Sequence, residues 1–503
     1  MNRTYRAIAA FFRGLLHLFF RQVRVAGLEN VPAAGGGLVV AWHPNALLDP
    51  GLILTTLPRR VVFGARAGLL RVPLLGRVMR ALGTVPLYRD RDARRGERGP
   101  DADEARRKAN RGSVDALARA VAEGSFAALF PEGHSHDEPD LQALKAGAAS
   151  LYYRAAELTP PGAPPPVILP VGLHYDEKGT FGSNVLVAYH PPLELPPELT
   201  ASLPADPEAR RERYRRLTER LDEVLRESVY GVGSWHLHHL MHRSRKLVRA
   251  ERAARAGASP GRTDIEERVL GFARLWTGYR QLVASRPQEV LALQARVERY
   301  NEDLRTLRME DHELDASPAF ATVWSSLLLV LQVVLVYLLL PPVLIIGYLV
   351  NLPTALALIG FAKLTSEAYK DEATVKLLGG LVAWPLTWLA VAVLVAWGER
   401  HLAGLYPQVP EAPWITGALA FLLSAVSGVG ARVSWRLARH TLRAVRVRLT
   451  RARRRAAVER LRGERAALHD RIVELSAGLE LPGSVTEDGR VVRGELPAKM
   501  PAS

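Results

Sequence analysis

Between residues 37 and 190 the chain alternates short apolar runs with helix-prone segments. Gly37-Leu-Val-Val-Ala41, Arg60-Val-Val-Phe63, Phe126-Ala-Ala-Leu-Phe130 and Val167 to Leu173 read as buried strands, with helical segments between them. That alternation predicts an α/β domain, a mixed sheet flanked by helices, with any chemistry gathered at strand ends. Two inserts are expected to be surface loops: residues 89–112, dense in Arg, Asp and Glu, and residues 159–166, Thr-Pro-Pro-Gly-Ala-Pro-Pro-Pro. Residues 205–310 are charged and helix-prone, with a Gly/Ala/Ser/Pro stretch near 256–261, and predict a helical accessory region.

The pattern then changes character. Residues 322–362 contain no charged side chain, a length sufficient for two membrane spans, with Pro341-Pro342 and Asn351-Leu-Pro353 expected as breakers. Residues 377–397 and 414–435 are further candidates, so four crossings or two membrane hairpins are expected in a C-terminal transmembrane helical region. At the other end, residues 5–20 are apolar and aromatic but interrupted by Arg13 and His17. Such a segment is too short to span a bilayer and predicts an amphipathic helix lying in the membrane interface. The expected organisation is an interfacial helix (1–30), a catalytic domain (31–200), the helical accessory region (201–318), the transmembrane region (319–435) and a basic helical tail (436–503).

Composition sharpens this picture in two places. The absence of cysteine among 503 residues excludes disulfides, thiolate metal sites and a cysteine nucleophile. The formal charge of +16 calls for an anionic partner, and its location selects which one. The densest basic run, Arg436, Arg439, Arg443, Arg446, Arg448, Arg451, Arg453, Arg454 and Arg455, follows the last apolar segment directly and carries no interleaved aromatics for base stacking. It therefore points to anionic membrane lipids and away from nucleic acid. Lys363, Lys370 and Lys376 lie in one inter-span loop, whereas the loop at 398–413 holds only Arg400 as a basic residue. The positive-inside bias then places the lysine loop, the arginine tail and the catalytic domain on the cytoplasmic face, of the cytoplasmic membrane if the source is bacterial.

Four ordered blocks carry the candidate chemistry. They are His43-Pro-Asn-Ala-Leu-Leu-Asp49-Pro50, then Gly83-Thr-Val-Pro86-Leu-Tyr-Arg89, then Phe130-Pro131-Glu132-Gly133 running on to Lys145-Ala-Gly147, then Val167-Ile-Leu-Pro170-Val-Gly172. A histidine with a nearby carboxylate can deprotonate a hydroxyl, because the carboxylate fixes the imidazole tautomer and stabilises the imidazolium formed during attack. No serine or cysteine on the enzyme is needed. Ser135, His136 and Asp137 are consecutive and cannot converge as a hydrolase triad, and the four blocks hold no Gly-x-Ser-x-Gly elbow.

These blocks resemble the glycerolipid acyltransferases, enzymes that move a fatty acyl group from acyl-CoA or an acyl carrier protein to glycerol 3-phosphate or its monoacyl derivative. Most members place the Asp five residues after the His; here it lies six after, as in the fungal-type glycerol-3-phosphate/dihydroxyacetone-phosphate branch. Arg89-Asp-Arg-Asp92, Glu132-Gly-His-Ser-His-Asp137, Tyr300-Asn301 with Asp311-His312, and Ala373-Thr-Val-Lys376 agree with that branch. The resemblance covers roughly residues 35–400. It implies His43 as general base, Asp49 as its orienting partner, Arg89 as a ligand of the acceptor phosphate and Pro170 in the wall of the acyl-donor pocket.

Within that frame, Glu132 can accept a hydrogen bond from a glycerol hydroxyl, and Gly133 permits close backbone approach. Many relatives carry an arginine two residues after the glycine, where this chain has Ser135, so Lys145 is the expected phosphate donor, with Arg91 a substitute for Arg89. No cofactor is expected beyond the acyl donor itself. His236, His238, His239 and His242 are spaced along a helix, but without interleaved carboxylates they read as structural, and no metal site is expected. The fungal-type spacing favours glycerol 3-phosphate as acceptor over lysophosphatidate, which shares the same motifs. A non-enzymatic membrane-shaping protein would have the amphipathic start and basic tail without a paired His and Asp.

Overall fold

A computed structural model describes residues 3–72, 75–88, 100–258, 263–315, 323–339, 344–365, 369–406, 408 and 411–493. The described chain divides into two compact units, one formed by residues 1–235 with 367–374, the other by residues 236–366 with 375–503.

The first unit is built on a seven-stranded mixed sheet of order β1-β7-β6-β2-β5-β3-β4. Its strands are β1 Gln22–Ala26, β2 Gly37–Ala41, β3 Val61–Arg66, β4 Val85–Leu87, β5 Phe126–Leu129, β6 Val167–Tyr175 and β7 Asn184–Tyr189. All neighbours pair in parallel except β6 and β7, which are antiparallel. Every residue of β2 is buried, as a central parallel strand covered on both faces requires. Leu38, Val40 and Ala127 share a core with Leu151 and Tyr153 of the Gly147–Leu158 helix and with Leu217, Leu221 and Leu225 of the Pro207–Val229 helix.

Three local features differ from the sequence-based expectation. Residues 100–112 are helix, not loop: they open the Pro100–Ala122 helix, whose proline at the first position and Asp101 and Asp103 in the first turn suit a helix N-terminus. The helix Arg3–Phe19 is amphipathic, but its buried side, Tyr5, Ala9, Leu15, Leu16 and Phe19, is taken up by the domain. Tyr5 receives the Val61 N–H at 3.1 Å and Arg13 donates to the Thr55 carbonyl at 2.8 Å, while Phe11 and Leu18 stay exposed. Pro207–Val229 packs into this α/β core, so the compact unit extends past residue 200.

In the second unit, helices Trp235–Arg255, Pro287–Leu307 and Arg455–Leu475 share an apolar core containing Leu247, Val297, Leu304, Leu461 and Leu468. The accessory region and the arginine-rich C-terminal segment are therefore one packed body. Helix Pro413–Arg453 runs without interruption from apolar into basic sequence. Arg443 within it is paired with Glu310 at 2.9 Å and with Glu313 at 2.5 Å.

Among the described residues, three helices are long and apolar enough to cross a membrane, Ile345–Leu364, Thr374–Leu405 and Pro413–Arg453, and a shorter apolar stretch covers Leu327–Leu339. Pro341-Pro342 lie outside the described residues. Pro353 does not break its helix, which continues from Ile345 to Thr365. Buried Asn351 donates to the Gly347 carbonyl at 3.0 Å and the Ser424 carbonyl at 3.1 Å, and receives the Trp388 indole N–H at 2.9 Å. It binds three apolar helices together through a polar side chain.

Candidate active site

Strands β6, β2 and β5 are adjacent and parallel, so their C-terminal ends deliver their next residues to one edge of the sheet, where ligands collect in such folds. β2 delivers His43, β5 delivers Phe130 to Gly133, and β6 ends on Tyr175. After His43 the chain turns through residues 44–47 into the helix Leu48–Thr56, which places Asp49 in its first turn. That turn absorbs the sixth residue of the His-to-Asp spacing.

His43 Nδ1 lies 2.7 Å from Asp49 Oδ2, and the Asn45 backbone N–H donates to the same oxygen at 2.7 Å. Tyr175 donates its hydroxyl to Oδ1. Asp49 is fully buried while the His43 side chain keeps 16% exposure, so the pair has a dry end and an accessible end. Burial pushes the Asp49 carboxyl above its ordinary range, against the pull of His43, Tyr175 and the Asn45 N–H. Burial, then the Asp49 charge, likewise raise the Tyr175 hydroxyl, keeping it protonated as a donor. With Nδ1–H directed at Asp49, Nε2 is the free base of the ring. The Phe130 ring stacks on His43 with centroids 4.0 Å apart and planes at 14°, fixing the imidazole plane.

Glu132 occupies a different role from the one its position in the sequence suggests. Its carboxylate is buried and receives the His43 backbone N–H at 2.7 Å, the Gln142 N–H at 2.9 Å and His136 Nε2 at 2.5 Å. These bonds tie the third block to the backbone of the first, so Glu132 positions His43 and is not presented to a substrate hydroxyl. The Glu138 N–H reaches His136 Nδ1 at 3.2 Å, which makes Nε2 the protonated nitrogen.

Gly133 has φ +75°, and a Cβ there would lie 2.7 Å from Lys145 Nζ. The glycine thus lets the exposed Lys145 fold across the turn beside the sheet edge that carries His43. Pro170 sits within β6 in register with Val40, buried in the sheet and accepting the His190 N–H at 3.0 Å. It belongs to the sheet wall, three residues before the row of His43. Arg89 and Arg91 lie outside the described residues.

Sequence reasoning missed Tyr175, Phe130 as a stacking partner, and His136. It singled out Ala373-Thr-Val-Lys376 without a role; Thr374 Oγ1 accepts the Leu47 N–H at 3.3 Å, bracing the turn between His43 and Asp49. His238 and His242 pack against Phe272 with tilted rings, centroids 5.2 Å and 4.9 Å away, and burial lowers their pKa values to about 4 and about 2.

The acyltransferase family model matches residues 22–174, from β1 almost to the end of β6. Residues 22–174 form an acyltransferase-family domain. Similarity to fungal proteins covers a larger share of the chain than this domain does. An uncharacterised acyltransferase of Schizosaccharomyces pombe is 23% identical over 378 residues, 60% of this chain and 54% of that protein. Glycerol-3-phosphate O-acyltransferase 1 of Saccharomyces cerevisiae is 22% identical over 291 residues, 56% of this chain and 37% of that protein. The chain thus spans about half the length of the first relative and less of the second. The crystal structure of the 1-acyl-sn-glycerophosphate acyltransferase PlsC from Thermotoga maritima aligns at 21% identity over 44% of this chain and 79% of its own, with a TM-score of 0.29, too loose a superposition to bear on fold or function.

Proposed function

We propose that this protein is a membrane-bound acyltransferase that moves a fatty acyl group from an acyl-CoA or acyl carrier protein thioester to glycerol 3-phosphate in phospholipid synthesis. The observation that carries the reading is the His43–Asp49 pair, 2.7 Å apart, with the carboxylate buried and the imidazole accessible at the sheet edge. His43 Nε2 takes the proton of the acceptor hydroxyl as its oxygen attacks the thioester carbonyl carbon. The C–O bond forms, the C–S bond breaks, and the proton passes from the imidazolium to the departing thiolate. Asp49 stays ionised throughout and stabilises the transient imidazolium.

The six-residue His-to-Asp spacing and the similarity to a fungal glycerol-3-phosphate O-acyltransferase favour the small soluble acceptor. Lys145, exposed beside Gly133, is the cation that meets its phosphate. Membranes carrying the protein are expected to acylate glycerol 3-phosphate faster than lysophosphatidate at matched subsaturating concentrations. A tenfold preference for lysophosphatidate would move the assignment to the second acylation. Lys145→Ala should raise KM for the phosphorylated acceptor about tenfold or more, the loss of one charge-assisted contact, with a smaller effect on acyl-donor KM. Equal losses for both substrates would indicate a collapsed site.

The proposed topology places residues 370 and 460 on the cytoplasmic face, because helices Tyr369–Leu405 and Pro413–Arg453 make two crossings between them. The chain has no cysteine of its own, so Lys370→Cys and Arg460→Cys can each be labelled singly in intact cells or vesicles. Both are expected to react from the same side, and labelling from opposite faces would overturn this arrangement.

A further inference from the structure

The second unit contains a cleft remote in sequence from every catalytic block. Helices Trp235–Arg255, Ile265–Ser285 and Pro287–Leu307, the end of Arg455–Leu475, and the hairpin of β8 (Ser484–Val485) and β9 (Val491–Val492) line a cleft partly open to solvent. Leu240, Leu275, Leu282, Leu293, Val297 and Ile472 make its apolar wall.

The charged lining is one-sided: four guanidiniums, Arg245, Arg249, Arg252 and Arg274, against the single carboxylate of Glu267. Glu267 is committed to Arg249 at 2.5 Å, and Arg274 donates to the Gly483 carbonyl at 2.8 Å. The Arg252 guanidinium makes no hydrogen bond or ion pair among the described residues, and its charged neighbours are Arg274 and Arg249. The hairpin turn at Gly489, φ +76°, lies directly on it: a Cβ there would come within 2.5 Å of the Arg252 Cβ. Burial, then repulsion from Arg274 and Arg249, disfavours the Arg252 charge. A guanidinium does not escape that cost by losing its proton at physiological pH, so a half-buried cluster of this kind is stabilised by a bound anion.

An apolar cleft with cationic groups converging in its lining matches a ligand with one hydrocarbon chain and a phosphate head. The excess of cations over carboxylates suits a dianionic phosphate monoester better than a singly charged carboxylate. We infer that the cleft of the second unit is a binding site for a single-chain lipid phosphate monoester, with Arg252 and Arg274 on the phosphate and the leucine-rich wall on the acyl chain. This assignment does not depend on which acceptor the catalytic domain uses.

The test uses the full-length, detergent-solubilised protein carrying His43→Ala, so that no turnover intervenes, and equilibrium binding of radiolabelled lysophosphatidate as the readout. Competition by monoacylglycerol, which lacks the phosphate, and by glycerol 3-phosphate and inorganic phosphate, which lack the chain, separates the two halves of recognition. Arg252→Gln removes the charge that supports no internal bond. Gly278→Phe fills the cleft from a helical position where a Cβ meets only Leu481 Cδ2, at 3.5 Å. Each is expected to weaken lysophosphatidate binding at one site at least about tenfold, with thermal unfolding of the lipid-free protein unchanged and Arg252→Lys retaining most of the affinity. Unchanged affinity in both variants would overturn the proposal. So would monoacylglycerol competing as well as lysophosphatidate, or inorganic phosphate binding this site as tightly as the lipid.

Discussion

Replacing His43 by alanine is expected to lower kcat by about 10²- to 10⁴-fold while leaving the protein folded, because a positioned general base contributes that much to proton transfer in the transition state. The side chain is only partly buried and its removal strands no internal charge except Asp49, which keeps the Tyr175 hydroxyl and the Asn45 N–H. Asp49→Asn should fall in the same range. Its amide group can donate to Nδ1 and thereby leave the proton on Nε2, where the base is needed. Tyr175→Phe removes one of the three donors holding Asp49 and should cost about tenfold in kcat, with little change in either KM. Steady-state rates of the three purified variants, with circular dichroism to verify folding, give the series. Activity of His43→Ala above about half of the parent would remove His43 from the role of base.

Arg465→Ala is expected to destabilise the second unit by about 3–5 kcal/mol, since removing one member of a buried ionic network leaves the others uncompensated. The Arg465 side chain is 2% exposed and bonds Glu251 at 2.9 Å, the two Asp315 oxygens at 2.7 and 2.9 Å, and the Asp311 carbonyl at 2.7 Å. Burial alone would depress its charge, but Asp315 and Glu251 outweigh that and raise its pKa. Asp311 also receives the Tyr300 hydroxyl at 3.0 Å, and Arg243 holds Asn301 at 2.7 Å. Arg460→Ala is the control, because its pair with Asp303 is at the surface, with side chains 67% and 43% exposed. It should shift stability by no more than about 0.5 kcal/mol. Thermal unfolding in detergent should show a fall on the order of 10 °C for Arg465→Ala. Equal small shifts in both variants would mean that the network does not hold the unit together.

That network shows why fragments sharing a family resemblance need not share a role. Tyr300-Asn301 and Asp311-His312 stand out in the sequence as firmly as the catalytic blocks do. In the fold, Tyr300 and Asn301 bond Asp311 and Arg243 within the accessory helices, and the Asp311 carbonyl joins them to Arg465 of the arginine-rich segment, which the sequence presents as a membrane-facing tail. Charge density along a chain reports which residues are basic. It carries no information about which carboxylates, some 150 residues earlier, will fold against them.

The sequence by itself determined most of the local elements and singled out the pair proposed to react. Wholly apolar runs such as Gly37–Ala41 become central strands because both their faces must be covered. The long uncharged stretches become helices because in an apolar setting the backbone must satisfy itself. A His and an Asp six residues apart at the end of such a strand are close enough to meet through one turn. Only the tertiary structure decided what surrounds that pair. Tyr175 reaches Asp49 across 126 residues because β6 lies beside β2, and Glu132 grips the His43 backbone because β5 lies on the other side. Burial of Asp49, the commitment of Glu132 to structure and the convergence of arginines on one cleft all arise from which elements become neighbours. Strand order and long-range hydrogen bonds set those neighbours, and neither leaves a periodic trace in the chain.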